Sequence, residues 1–442
     1  MKLPGQPTLP TADPYLPGHG DRSWRATSYD LDLTYDVAGN RLSGRATIEA
    51  VAERALDRFV LDLAHLHVDK VTVNGVAPAK YAVRGHRLVI TPRTSPRAGD
   101  VFTVVVRYSG KPQPLVEDEH GDAGWEELTD GVIVAGQPHG APTWFPCNDR
   151  PDNKATYRIS VTTHPDYTVV ANGSLRSSTR HGSTVTWVHE HDQPMATYLA
   201  TVQIGQYEVR DVDAVVPMRV VVPVDAGDGV DAAFGRQPEM MSAFTELFGP
   251  YPFASYAVVV TADDLEIPLE SQSLSTFGRN FLTDDWDHVR LVAHELAHQW
   301  FGNSVTLRHW RDIWLHEGFA CYAEWLWSER SGGDPADAHA RAHHGRLADL
   351  AQDLVVADPG PDLMFDDRVY KRGALTLHAV RLTVGDEAFF ALLRAWVDRH
   401  AGGSVTTADF VAFAAQQTGI DLGDLFRSWL NEAALPALPA AS

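Results

Sequence analysis

Between about residues 24 and 211 apolar and polar positions alternate. In SYDLDLTYD the apolar side chains Tyr29, Leu31, Leu33 and Tyr35 are separated by Asp30, Asp32 and Thr34, the period of two that marks a strand with one buried face. VAGNRL reads as a hairpin turn, and FVLDL, KVTVNG, RLVITP, VFTVVVRYSG, YRISVTTH, TVVANGSL, TVTWVHE and ATYLATVQIG continue the pattern. An antiparallel β-sandwich over residues 1–211 is the natural reading. Beyond about residue 212 the period changes. VPMRVVVPV and SYAVVVTA still read as strands, but EMMSAFTELF, VRLVAHELAHQWFG, EGFACYAEWLWSER and ALTLHAVRLTV carry helical spacing. Residues 212–442 are therefore expected to form a second, mainly helical domain with a small mixed sheet, making the chain α+β and multidomain. The closing LPALPAAS is expected to fray.

Composition narrows the partners. With 442 residues, 44% hydrophobic and 21% charged, the chain can build sizeable cores. Its formal charge of −21 argues against nucleic acid and against an anionic membrane surface. No apolar run long enough for a membrane helix occurs, and the Pro- and Gly-rich start lacks the apolar stretch of a signal peptide. The two cysteines, Cys147 and Cys321, read as reduced core residues, which fits a cytoplasmic protein.

The strongest chemical signal is LVAHELAHQW. On a helix His294 and His298 share a face and can grip one metal ion, while Glu295, one step round, points toward a water at that ion. A third ligand is available in WLHEGFACYAEW, where Glu317 opens the next helix. Two imidazoles and a carboxylate form the ligand set of a hydrolytic zinc site with one place left for water. Glu324, two helical turns on, is placed to orient a ligand or simply to be solvated. The i, i+4 pair in AHARAHHGR, with His339, His343 and His344, lacks an acidic second position and reads as a solvated helix face. His309 and His316 read as neighbours of the metal ligands.

HELAH, the following QWFGNSVTLRHWRDIWLHEGFACYAEW and the upstream WFPCNDRPDNKATYRISV together resemble the M1 metallopeptidases, zinc aminopeptidases of the aminopeptidase N and leukotriene A4 hydrolase type. The resemblance spans nearly the whole chain. It implies a thermolysin-like catalytic domain, one Zn2+ per chain, and peptide substrates with a free N-terminus. Glu295 would be the general base. Tyr370 in RVYKRG would stabilise the oxyanion, although Lys371 stands where the family has glutamate. Glu270 in EIPLESQSLST, with Leu269 beside it, would bind the substrate amine. Ile267, Pro268 and Ser271 depart from the family motif there, and Pro268 has no NH to offer a peptide. Gln137, ahead of WFPCND, would be a second acceptor for the amine.

The family's long helical C-terminal domain is not matched, so the cleft is expected to be open or closed by another subunit, and the oligomeric state stays open. Two other functions compete: an endopeptidase of thermolysin-like chemistry, which would need neither Glu270 nor Gln137, and a peptide-binding scaffold without catalysis.

Overall fold

The computed structural model describes residues 11–117, 121–227 and 229–440. It divides into two compact units, residues 1–171 with 175–204, and residues 172–174 with 205–442.

The first unit is built of β-sheets. Its largest has seven strands in the order Ser174–His181, Thr184–Met195, Ala155–Thr163, Trp24–Asp36, Arg41–Ala52, Val101–Gly110, His67–Val73. Tyr29, Leu31, Leu33 and Tyr35 are buried as the alternation requires. The sheet is not wholly antiparallel. Trp24–Asp36 runs antiparallel to Arg41–Ala52 but parallel to Ala155–Thr163, with Tyr29 opposite Tyr157. More than one hundred residues separate these two parallel strands in sequence, ample for the crossover that a parallel pair needs. A five-stranded sheet includes Gly121–Leu128 and Gly131–Ala135, and Phe59–Asp62, Arg87–Thr91 and Lys80–Arg84 make a three-stranded one. Edge-to-face rings of Trp24, Phe59 and Phe102 fill part of the core. Cys147 and Cys321 are both free and buried.

The second unit contains a mixed sheet in the order Tyr207–Val212, Met218–Pro223, Tyr256–Val260, Leu274–Phe277, its first pair antiparallel and the other two parallel. Its helices are α1 (Gly229–Phe234), α2 (Gln237–Phe248), α3 (Trp286–Ala297), α4 (Trp314–Ser331), α5 (Ala336–Ala348), α6 (Asp367–Val384), α7 (Asp386–His400), α8 (Thr407–Thr418) and α9 (Gly423–Phe426). Among the described residues, no helix is long and apolar enough to cross a membrane.

Two features of this unit position chemistry. Helices α4 and α6 meet at Gly318 and Gly373, where a Cβ on Gly318 would come within 2.8 Å of the Gly373 Cα. Only glycine permits that approach. It places Glu317 beside the crossing and Tyr370 one turn before it. The second feature concerns the start of the tail expected to fray, of which Leu435 and Pro436 are tied down. Arg372 donates to the carbonyls of Ser428, Trp429, Glu432, Ala433 and Ala434. Leu435 NH reaches Gln352 Oε1 at 2.8 Å, and the Pro436 carbonyl lies 2.8 Å from His344 Nε2. A buried cation that satisfies exposed helix-end carbonyls holds the chain through residue 436.

Candidate metal centre and active site

Helix α3 is amphipathic, and its buried end carries His294 and Glu295, with His298 at the C-cap. Helix α4 is buried along most of its length and begins with Glu317 in its first turn. Donor atoms of His294, His298 and Glu317 all lie within 4.8 Å of one another. Glu317 Oε2 is 3.3 Å from His294 Nε2 and 3.4 Å from His298 Nε2. Both imidazoles are held from behind. His298 Nδ1–H donates to the Phe301 carbonyl at 3.0 Å, and His294 Nδ1 is 2.7 Å from Glu324 Oε1. Since a carbonyl only accepts, Nδ1 carries the proton, and in the neutral ring Nε2 would be the nitrogen free to ligate a metal. Glu324 in turn accepts from Arg290 Nη1 at 3.1 Å.

Two neutral-nitrogen donors and a carboxylate, closely spaced and backed by hydrogen bonds, fit a zinc ion by donor chemistry. Electrostatics agree with that donor set. Burial alone would push the Glu317 carboxyl up, but His298 and His294 outweigh it and hold the group well below the usual carboxylate range. Burial opposes charge on His298 too, yet Glu317, Glu270 and Glu295 push it up to about 10. These shifts describe a pocket rich in negative potential, which a cation would occupy.

Glu295 Oε2 is buried and accepts no hydrogen bond from any described residue. Burial pushes Glu295 up to about 8, with His294 and His298 pulling the other way. A carboxylate in that state is suited to taking and returning a proton. Tyr370 stacks on His294 with ring centroids 6.1 Å apart and 18° between planes. Burial first, then Glu317, Glu270 and Glu295, hold its phenol well above its ordinary value, so it stays a donor.

Glu270 is brought into the same pocket. It is buried, and its carboxyl is raised by burial while His298 draws it down and Glu317 raises it further. The loop that carries it is pinned by residues just past His298. Asn303 Nδ2 donates to the Glu270 carbonyl at 2.6 Å, Gln299 Oε1 accepts from Ser273 NH at 2.7 Å, and Gln299 Nε2 donates to the Ser271 carbonyl at 3.3 Å. Leu269 forms an antiparallel bridge to Thr276 through bonds of 2.9 Å in each direction. Ser273 adopts φ of 63°, a left-handed conformation that these bonds support. Gln299 and Asn303 were not singled out from sequence, although both lie within the block that follows HELAH. Their partners are distant in the chain, so no local pattern could reveal the bond.

Gln137 belongs to the first unit, two residues past the strand Gly131–Ala135, with its side-chain nitrogen buried and without a hydrogen-bond partner among the described residues. His316 Nε2 accepts from Leu307 NH at 2.7 Å and is not among the clustered donors.

Residues 232–429 match the Peptidase family M1 domain, and residues 25–199 match the Peptidase M1 N-terminal domain. The chain belongs to peptidase family M1. Aminopeptidase M1-B of Oryza sativa subsp. japonica is 26% identical over 448 residues, covering 93% of this chain and 50% of that protein. This M1 chain thus spans about half the length of the curated relatives it matches. An M1 zinc metallopeptidase from Deinococcus radiodurans superposes with a TM-score of 0.89 at 30% identity, covering 98% of this chain and 99% of that one. A glutamate-to-alanine variant of the Deinococcus protein, solved with the substrate Tyr-Ser-Ala, gives a TM-score of 0.90 at 30% identity over the same shares.

Proposed function

We propose that this chain is a zinc-dependent aminopeptidase that removes the N-terminal residue from peptides. The observation that carries this reading is a buried carboxylate, Glu270, pinned in the same pocket as the His294, His298 and Glu317 cluster. An α-ammonium is cationic near neutral pH, and a buried carboxylate is its natural partner. An endopeptidase has no use for one there. The relatives named above, an aminopeptidase and a zinc metallopeptidase solved with a tripeptide, support the same substrate class.

His294, His298 and Glu317 would hold the zinc, and Glu324 and the Phe301 carbonyl would fix the two imidazoles. When bound, zinc supplies Lewis acidity that polarises the scissile carbonyl and acidifies water. Glu295 takes a proton from the attacking water and returns it to the departing amine. Tyr370 donates its hydroxyl proton to the developing oxyanion, for which its high pKa suits it. Glu270 accepts from the substrate ammonium and so sets the cut one residue from the N-terminus, with Leu269 next to it in the pinned loop.

Aminoacyl chromogenic amides, assayed with and without chelator and after zinc restoration, test the reading. Release should depend on zinc and should fail for N-acetylated substrates. Internal cutting of acetylated peptides with no release of free amino acid would overturn it. Glu270→Ala should raise KM for free-amine substrates and lower kcat/KM roughly 10- to 100-fold, with zinc content unchanged, because a charge-assisted contact is lost.

A further inference from the structure

The turn over residues 298–305, which follows α3, serves two neighbours at once. On one side the Phe301 carbonyl accepts from His298 Nδ1 at 3.0 Å and so orients a clustered imidazole. On the other side Asn303 Nδ2 donates to the Glu270 carbonyl at 2.6 Å. Gln299, next to His298, uses both ends of its amide on the same loop. Its Oε1 accepts from Ser273 NH at 2.7 Å, and its Nε2 donates to the Ser271 carbonyl at 3.3 Å.

The turn has little freedom to shift. Its backbone is closed by Asn303 NH to the His298 carbonyl at 3.0 Å, Ser304 NH to the Gln299 carbonyl at 3.1 Å and Gly302 NH to the Val305 carbonyl at 2.9 Å. Gly302 has φ of 127°, and a Cβ there would come within 3.2 Å of His298 Nδ1. Glycine lets the backbone pass that close to the imidazole. The side chains of Gln299 and Asn303 are fully buried, so their amides are out of water and depend on these bonds.

The loop is held as firmly as the turn. Consecutive carbonyls from Glu270 to Ser273 all accept: Glu270 from Asn303, Ser271 from Gln299 and from Leu274 NH, Gln272 from Asn172 Nδ2 at 2.8 Å, and Ser273 from Ala257 NH at 3.0 Å. Asn172 counts with the second unit. Ser273 sits at φ of 63°, a conformation that a residue with a side chain keeps only where its surroundings over-determine it. Glu270 therefore cannot move relative to His298 without breaking several buried bonds together.

We propose that Gln299 and Asn303 are positioning residues that fix the distance between the metal-binding imidazoles and the Glu270 carboxylate, and thereby decide which peptide bond is presented to Glu295. This rests on the aminopeptidase reading. Both residues act through others, Asn303 through the Glu270 carbonyl and Gln299 through the backbone of Ser271 and Ser273. Misplacing an anchor by about 1 Å costs on the order of 100-fold in rate, because the reacting atoms leave their near-attack arrangement.

Paired hydroxamates measure this distance without turnover. An amino-acid hydroxamate has to reach the metal and the amine anchor together, whereas its desamino analogue reaches the metal alone. On the zinc-loaded full chain the amino form should bind about 10- to 100-fold tighter, as a charge-assisted bond allows. Asn303→Ala and Gln299→Met should each cut that ratio several-fold, with affinity for the desamino form unchanged and zinc affinity, by chelator competition, also unchanged. A substrate amine can still find a displaced Glu270, so with aminoacyl p-nitroanilides these variants should lose kcat about 10- to 100-fold at nearly constant KM, unlike Glu270→Ala. An unchanged ratio in both variants, or a loss of zinc affinity that accounts for the change, would overturn the positioning role. A wild type that does not prefer the amino form would overturn the aminopeptidase reading itself. If the variants fail to fold, hydrogen exchange on the wild type decides. Removing zinc should speed exchange of the Ser273 amide together with those of Asn303, Ser304 and Val305, and release of the turn with Ser273 still protected would overturn the coupling.

Discussion

In the first unit Asp62 Oδ2 accepts from the backbone NH of Gly20 and of Asp149, while Arg87 Nε lies 2.8 Å from Asp62 Oδ1. Arg87 also donates to the carbonyls of Gly18 and Gly20, and His19 Nδ1 lies 3.0 Å from Asp149 Oδ2. Each charge here is answered by another charge or by backbone. The second unit also buries ionisable groups around His294, yet Glu295 Oε2 accepts no hydrogen bond from any described residue. A closed network fixes strands in place, whereas an unfinished one holds polar groups ready for something that arrives later. Burial of charge alone does not separate the two. The difference is that Asp62 Oδ1 faces the Arg87 guanidinium at 2.8 Å, whereas Glu295 Oε2 has no donor among the described residues.

That contrast can be broken by mutation. Glu295→Gln should lower kcat by roughly 10²- to 10⁴-fold, the usual worth of a general base, while metal analysis finds zinc retained and thermal unfolding stays close to wild type. A large loss of stability would place Glu295 with the structural network instead. Arg87→Met should do the reverse, costing about 3–5 kcal/mol of stability by leaving Asp62 buried and unpaired, with zinc stoichiometry unaltered in the folded fraction. Denaturant melts followed by two probes would show it.

Acid sharpens the comparison further. His191, on the strand Thr184–Met195 opposite Tyr157, is pushed down from 6.5 to about 4 by burial, with Lys154 adding and Asp192 opposing. The unfolded chain therefore binds the proton more readily than the folded one. Stability from this group is full above about pH 6.5 and is lost as pH falls toward 4, by up to about 3 kcal/mol. His191→Gln should flatten the acid limb of a stability-versus-pH curve, and an unchanged limb would assign acid sensitivity elsewhere. The smallest effect is expected at Glu324→Gln, which should weaken zinc binding about 10- to 100-fold by competition with a chelator while leaving the fold intact.

Sequence periodicity revealed different parts of the molecule to different degrees. His294 and His298 are four residues apart on a helix, so their shared face could be read directly. Glu317 could be read because a second helical stretch opens within 18 residues of His298. The loop around Glu270 showed its carboxylate but not its supports, since Gln299 and Asn303 reach it across 26 to 33 residues of chain. The parallel placement of Ala155–Thr163 against Trp24–Asp36 was likewise hidden, because alternation reports which face is buried and not the direction of the neighbour. His339 and His343 misled in the opposite sense. Their spacing suggested a wet helix face, while the tryptophans that cover them come from α3 and α4.

Arg372 lies two residues after Tyr370 on α6 and gathers carbonyls from five positions between 428 and 434. Opening that segment would strand a buried guanidinium within a turn of Tyr370, so the two regions are expected to exchange their amide hydrogens as one cooperative unit. Tyr370 and the segment 428–434 are thus expected to share a single local unfolding event. Damage more than fifty residues downstream would register first as a loosened α6 around Tyr370.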